Sequence, residues 1–417
     1  MSKYLSGLEC SKCGRSESAG VLRNLCPACG APLLARYDLG RLAKETDRPE
    51  RQKGEPSLWR YFDLLPVDRP ASIVSLREGW TPLIPVAHAG EIIGVRDLWL
   101  KDEGRNPTGT FKDRGATVAI SRAIELGASS FTLGSSGNAG SAWAAYAARA
   151  GVELHLAVLV KSPEGVKAQA YLHGARLYAV DGFIREAAGS MSSAALRHGW
   201  FDVSTLREPY RVEGKKTMGL EIAEQLGWQV PEVIVYPTAG GVGLVAIWKS
   251  MQEMRELGWI AQKMPRMVVV QSEACAPIVK AFEEGREETE PWEEVKPTIS
   301  ILRAVKPLSD RLVLRALRES GGTAVAVTDQ EMLWAMEVLG SQEGVLACPE
   351  GGATLAAARR LRASGFIHTG DRVVILNTGT ALKRMELIRP SLRAIDPKAE
   401  ISLQQGERLV PRQLAVL

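Results

Sequence analysis

From about residue 77 to 390 the chain alternates short runs rich in valine, isoleucine and leucine with longer amphipathic or alanine-rich stretches. Ser130-Phe131-Thr132-Leu133 leads through Gly134-Ser135-Ser136-Gly137-Asn138 into a helical pattern over 139–149, and 154–160 reads as the next strand. Val233-Ile234-Val235-Tyr236 leads through Thr238-Ala239-Gly240-Gly241-Val242-Gly243 into a second helix beginning near Leu244. Further buried strands are expected at 267–270, 324–327 and 373–376. Continuous apolar runs separated by helix-length segments are the pattern of βα units on a mainly parallel sheet.

The flanks read differently. Residues 1–36 carry paired cysteines, 37–76 form a polar, proline-punctuated connector, and 391–417 form a tail with no motif. The glutamate-rich run 282–297 reads as a solvated loop. A length of 417 residues exceeds one compact domain, so two lobes with a small appendage are expected.

Composition narrows the class without naming a partner. A hydrophobic fraction of 45% and a charged fraction of 24% fit an ordinary globular chain, and a net charge of +4 is too weak for a nucleic-acid footprint. The amino terminus lacks the apolar run of a signal peptide, and no uninterrupted apolar stretch reaches the ~18 residues a membrane helix needs. A cytoplasmic protein with neither membrane nor nucleic-acid partners is therefore expected. In that compartment the six cysteines are thiols or metal ligands rather than disulfides.

Four of them are patterned. Cys10-x-x-Cys13-Gly14 is followed after twelve residues by Cys26-x-x-Cys29-Gly30. Two thiolates two residues apart bite one ion from a turn, and two such turns complete the tetrahedral sulfur set of a structural zinc site. The alternative is four free thiols. Cys275 and Cys348 read as small buried apolar residues.

Two further segments carry candidate chemistry. Asn106-Pro107-Thr108-Gly109 spells a turn that presents Lys112, beside Phe111, at the mouth of a helix. A lysine that attacks a carbonyl must be unprotonated, which apolar neighbours favour; a lysine in a turn is otherwise a solvated surface group. The loop Thr238, Ala239, Gly240, Gly241, Val242, Gly243 can turn backbone N–H groups toward a phosphate, or can be a tight βα connection. It lacks the G-x-G-x-x-G pattern of a dinucleotide site. The five histidines form no nucleophile or ligand pattern.

The stretch Asn106-Pro107-Thr108-Gly109-Thr110-Phe111-Lys112-Asp113-Arg114-Gly115 resembles the cofactor-lysine segment of threonine synthases, which are pyridoxal-phosphate enzymes of the tryptophan synthase β and threonine dehydratase group. The resemblance runs in order from about Leu76 to Lys383 and includes Ser135-Ser136-Gly137-Asn138, Pro209-Tyr210-Arg211-Val212-Glu213-Gly214-Lys215-Lys216-Thr217, the glycine loop and Asn377-Thr378-Gly379. The cysteine-paired leader is similar to one found on some threonine-synthase-like chains.

The resemblance implies an α/β, two-lobed, three-layer fold of the tryptophan synthase β type with mainly parallel sheets, plus a small N-terminal zinc ribbon. The smaller lobe would span about 127–210. It implies pyridoxal 5'-phosphate held covalently by Lys112, which also moves protons at the substrate's Cα. Residues 238–243 would hold its phosphate, Asn138 its 3-oxygen, and Thr378 would face the pyridine nitrogen. A neutral hydroxyl there gives that nitrogen little reason to stay protonated, so elimination or replacement at Cβ or Cγ is favoured over transamination. Arg211 and Lys167 would hold an anionic amino-acid substrate, although for Arg211 an ordinary surface salt bridge is the plain alternative. Lobe closure and a homodimer are also implied.

The match frays at the substrate end. Threonine synthases carry an Asn-Ser-x-Asn run before Pro-x-Arg, where this chain has Thr205-Leu206-Arg207-Glu208. A leucine is no donor, and a glutamate repels phosphate unless Arg207 offsets it. The threonine that often follows the cofactor asparagine is Ala139, and the Leu-Thr-Gly-His-Gly pattern becomes Asn377-Thr378-Gly379-Thr380-Ala381. Three readings stay open at this point. They are a threonine synthase acting on O-phosphohomoserine, a serine/threonine dehydratase or β-replacement enzyme resembling cysteate synthase, and a zinc-ribbon binding protein on an inactive scaffold.

Overall fold

The computed structural model describes residues 3–49, 54–135, 137–182 and 184–388. The tail at 391–417 and Ser136 of the serine-glycine-asparagine motif lie outside the described residues.

The chain opens with a three-stranded antiparallel ribbon of β1 (Leu5–Cys10), β2 (Ser16–Glu17) and β3 (Leu33–Tyr37), ordered β2-β1-β3. Each cysteine pair closes on a glycine in the left-handed region, Gly14 at φ 70° and Gly30 at φ 69°, whose N–H returns to the carbonyl of Cys10 or Cys26. The stretch 37–76, expected as a polar connector, is more structured than its composition suggests. It holds α1 (Leu39–Glu45), capped by the Asp38 carboxylate, and a 3-10 turn over Leu58–Leu64. Leu58, Trp59, Leu65 and Val67 are buried there against Val118.

An antiparallel edge strand, β4 (Leu83–Pro85), and β5 (Asp97–Asp102) flank α2 (Ala87–Ile93) and begin the large sheet. Helix α3 (Lys112–Glu125) then leads into the smaller lobe. There β6 (Ser130–Ser135), α4 (Asn138–Ala150), β7 (Glu153–Leu159), α5 (Glu164–Leu172), β8 (Arg176–Val180), α6 (Ile184–His198) and β9 (Phe201–Asp202) build a parallel four-stranded sheet ordered β8-β7-β6-β9.

The chain returns through α7 (Arg211–Gln225) to β10 (Val233–Pro237), α8 (Val242–Glu256), β11 (Arg266–Ser272), α9 (Pro277–Glu283), α10 (Asp310–Glu319), β12 (Thr323–Val327), α11 (Asp329–Glu343), α12 (Pro349–Ala363) and β13 (Arg372–Asn377). The large sheet runs β12-β11-β10-β13-β5-β4 and is parallel except at β4.

Its strands read as unbroken apolar runs because both faces are covered. Ile234, Tyr236, Met267, Val269, Val374 and Leu376 enter one core with α7, α8 and α10, whereas Val233, Val235, Val268, Val270, Val373 and Ile375 enter another with α2, α11 and α12. The period-2 alternation of a strand thus divides between two helix layers, which makes a three-layer α/β arrangement. Among the described residues no helix is long and apolar enough to cross a membrane.

Candidate active site

Lys112 begins α3, and the preceding turn is tied to the carboxyl end of β13. Phe111 N–H and Thr110 Oγ1 both donate to the Thr378 carbonyl at 3.1 Å, and Thr380 N–H donates to the Gly109 carbonyl at 3.0 Å. Gly109 has φ 73°, and a Cβ there would lie 2.8 Å from Thr380 Cγ2, so the approach of the two segments requires glycine. These bonds hold Thr378 beside the lysine segment. Asn138, at the start of α4, has its Nδ2 only 3.7 Å from where a Cβ on Gly379 would stand.

The Lys112 amine lies 4.5 Å from the centroid of the Phe111 ring. Burial pulls its pKa down to about 8, the Arg211 cation adds to this, and the Glu350 carboxylate opposes it. The amine is therefore partly neutral near pH 7.5, as a nucleophile needs. Beside it, burial lifts Asp113 to about 7 against two hydrogen bonds from Thr108. Lys383, to which the sequence assigns no role, pins this turn to α4 by donating to the Thr108 carbonyl and to Ser141 Oγ, each at 2.9 Å.

The glycine loop ends in the N-terminus of α8. Gly241 caps the helix at φ 73°, and the first-turn amides have no acceptor within their own helix. The cradle is closed on its underside, since a Cβ on Gly241 would stand 2.3 Å from Val313 Cγ2 and one on Gly243 1.8 Å from Tyr236 Oη. Side chains packed close to the loop glycines and the free first-turn amides of α8 make a helix end that suits a phosphate. Together with the free amine of Lys112 and the Thr378 hydroxyl, these residues fit pyridoxal phosphate.

The stretch 205–208 lies at the edge of this cradle, with Thr205 Cγ2 3.8 Å from a Cβ built on Gly240. The compensation expected of Arg207 for Glu208 comes from elsewhere. Arg207 is partly exposed and faces Asp202 at 3.6 Å, whereas buried Glu208 is paired with the guanidinium of Arg211. Proximity decides this, because Glu208 and Arg211 are three residues apart at the entry of α7 and both face inward. Arg211 also donates to the Val203 carbonyl and, at 3.4 Å, to Thr205 Oγ1, so its guanidinium is largely taken up within the protein. Lys167 is similarly engaged, with Glu164 at 2.5 Å and the Val160 carbonyl at 3.1 Å.

Two residues to which the sequence assigns no chemistry also lie here. Cys348 Sγ is 3.9 Å from Thr378 Oγ1, and burial raises its thiol pKa far above the usual range. Lys215 lies 5.0 Å from the same Phe111 ring that Lys112 faces.

A buried charge cluster supports the whole arrangement. Arg114, two residues after Lys112, binds Glu103 and Glu221, and Lys101 binds Glu221 at 2.7 Å, every side chain being fully buried. In the ribbon, away from this site, the sulfurs of Cys10, Cys13, Cys26 and Cys29 all lie within 4.8 Å of one another, a set that could hold one metal ion.

The model of the family described as "Pyridoxal-phosphate dependent enzyme" matches residues 74–379. A threonine synthase of Methanosarcina acetivorans is 36% identical over 377 residues, 90% of this chain and 92% of that one. Another, of Methanocaldococcus jannaschii, is 34% identical over 379 residues with the same coverage. Among solved structures, maize serine racemase superposes with a TM-score of 0.62 at 21% identity, covering 72% of this chain and 88% of that one. The processed form of threonine deaminase isoform 2 from Solanum lycopersicum does so with a TM-score of 0.63 at 16% identity, covering 82% and 95%. At such identities the superpositions speak for the fold, and they bear out the expected tryptophan synthase β type. With the family model matching residues 74–379 and relatives of 34–36% identity aligned over 90% of the chain, the chain belongs to the pyridoxal-phosphate-dependent enzymes.

Proposed function

We propose that the protein converts O-phospho-L-homoserine and water to L-threonine and phosphate. The observation that carries this reading is Thr378, a neutral hydroxyl residue whose backbone is tied to the Lys112 turn, in a chain that matches threonine synthases over nine-tenths of its length. Pyridoxal phosphate bound there supplies an electron sink for the pair left when a proton departs from the substrate's Cα.

The residues then divide the work. The glycine loop anchors the phosphate, and Asn138 offers an amide to the ring oxygen. Thr378 offers the pyridine nitrogen a hydroxyl, not a carboxylate. Lys112, which would hold the cofactor, is the base that takes the Cα proton and returns it, a role suited to a pKa of about 8. Arg211 orders Thr205 and Glu208 at the substrate edge. The clustered cysteines support a structural zinc. The family resemblance supports a cytoplasmic homodimer, which sedimentation and fractionation test.

The test is to supply the purified, pyridoxal-phosphate-loaded protein with O-phosphohomoserine, serine and threonine, and to follow phosphate, threonine and keto acid. Equal amounts of threonine and phosphate are expected, and Lys112→Ala should make neither. Phosphate without threonine, or keto acid from serine as the main product, refutes the reading.

A further inference from the structure

We propose that Lys215 is the cation that receives the substrate's phosphate monoester. This rests on the reading of a phosphorylated substrate and names the group that selects it.

Among the described residues, the other cationic side chains that are buried throughout are paired with carboxylates. Lys101 and Arg114 share Glu103 and Glu221, Lys216 and Lys249 share Glu213 and Glu253, and Arg211 holds Glu208. Lys215 breaks the pattern. Its side chain is 2% exposed, and among the described residues it has neither an ion pair nor a hydrogen bond. It runs across Gly115 in the second turn of α3, with Cε 3.2 Å from where a Cβ would be, and ends against the Phe111 ring that Lys112 also faces.

An ammonium taken out of water without a counter-charge is strongly disfavoured, so such an amine either loses its proton or meets an anion. The charges around it are Lys112, Arg211 and Glu208, and Glu208 is already engaged by Arg211. Burial, followed by the Lys112 and Arg211 cations, holds the amine well below its ordinary range. A phosphate brought alongside would favour its charged form, so a proton is taken up as the anion binds.

The chemistry that completes this pocket is a dianion on the substrate's side chain. Serine and threonine bring no such group and leave Lys215 unpaired, whereas a phosphate ester is held and its departing phosphate stabilised. The departure of this chain from the family at 205–208 then has a counterpart. Glu208 removes Arg211 from anion binding, and Lys215 stands in its place.

Inorganic phosphate titrated by calorimetry into the loaded wild type, Lys215→Gln and Lys215→Met tests this. Loss of one charge-assisted contact should weaken phosphate binding by about tenfold or more and raise KM for O-phosphohomoserine in step. Threonine and pyridoxal-phosphate affinities should stay within about twofold. An unchanged phosphate Kd overturns the proposal. So does a loss of pyridoxal-phosphate affinity with phosphate binding intact, since the cation would then serve the cofactor.

If the variants do not fold, the wild type still decides, because the heat of phosphate binding should depend on buffer ionisation through proton uptake, and no dependence overturns the proposal. A wild type that makes no threonine yet binds phosphate through Lys215 supports this site and removes the proposed substrate. One that makes threonine with a phosphate Kd indifferent to residue 215 removes this inference alone.

Discussion

Replacing Arg114 with methionine tests what holds Lys112 in position. The guanidinium donates to Glu103 at 2.6 and 2.7 Å and to Glu221 at 2.5 and 2.8 Å, and Lys101 donates to Glu221 at 2.7 Å. These two cations and two carboxylates balance, and all four side chains are fully buried. Methionine keeps the helix and most of the volume but leaves two carboxylates facing one ammonium. Breaking a buried ion cluster on one side costs about 3–5 kcal/mol, because the remaining charge is desolvated and unpaired. At roughly 2–4 °C per kcal/mol for a domain of some 150–250 residues, the thermal midpoint should fall by about 6 °C or more.

The second substitution gives the sharper outcome. Glu103→Gln added to Arg114→Met removes the surplus carboxylate and leaves the Lys101–Glu221 pair intact. The double variant should therefore melt above Arg114→Met itself. Calorimetry on the four members of the cycle reads the coupling. If the double variant melts lower, by the sum of the two single losses, uncompensated charge is not what destabilises the site and the argument fails.

Three more expectations follow from the site and the ribbon. With Lys112 lowered to about 8, chiefly by burial, the rate at which the apoprotein combines with pyridoxal phosphate should rise with pH up to about 8 and level off. Between about 8 and 10.5 the unfolded chain holds the proton that the folded apoprotein has released, so apoprotein stability should also rise with pH there. A rate still climbing at pH 10 contradicts the shifted lysine. Gly243→Ala places a methyl 1.8 Å from Tyr236 Oη. Overpacking of about 1–3 kcal/mol borne at the α8 N-terminus weakens pyridoxal phosphate by roughly 5- to 150-fold in equilibrium dialysis. Undiminished binding would remove the loop from the cofactor site. Metal analysis should find one zinc per chain in the wild type and a deficit in Cys26→Ser, and a metal-free wild type speaks against the ribbon's role.

What could be read from the chain depended on how local the cause was. The strands at 233–237, 266–272 and 372–377 announced themselves because burial on both faces writes an unbroken apolar run. The folded strap within 37–76 did not, since Leu58, Trp59, Leu65 and Val67 are scattered among charges and prolines without a period, and their shared partner Val118 is far along the chain. Lys112 stood out through its own neighbours. Lys215 could not, for a Lys-Lys pair in a helix reads as a solvated face. It is buried because α7 crosses α3 closely at Gly115 and Gly214, where a Cβ on Gly214 would lie 1.8 Å from the Arg114 carbonyl. Arg211 was legible as a residue, but its commitment to Glu208 appears only once the entry of α7 has buried both.

The ribbon shares a core with α3 and the smaller lobe, and Arg122 of α3 donates to the Ala19 carbonyl at 2.8 Å. One side chain gives this packing a further meaning. Asn24 Nδ2 donates to the carbonyls of Asp202 and Arg207, at 2.6 and 3.0 Å, and so spans the stretch that departs from the threonine-synthase pattern. Moved into another chain without its leader, that stretch would arrive without the amide that brackets it, so recombination should succeed only when leader and loop are inherited together.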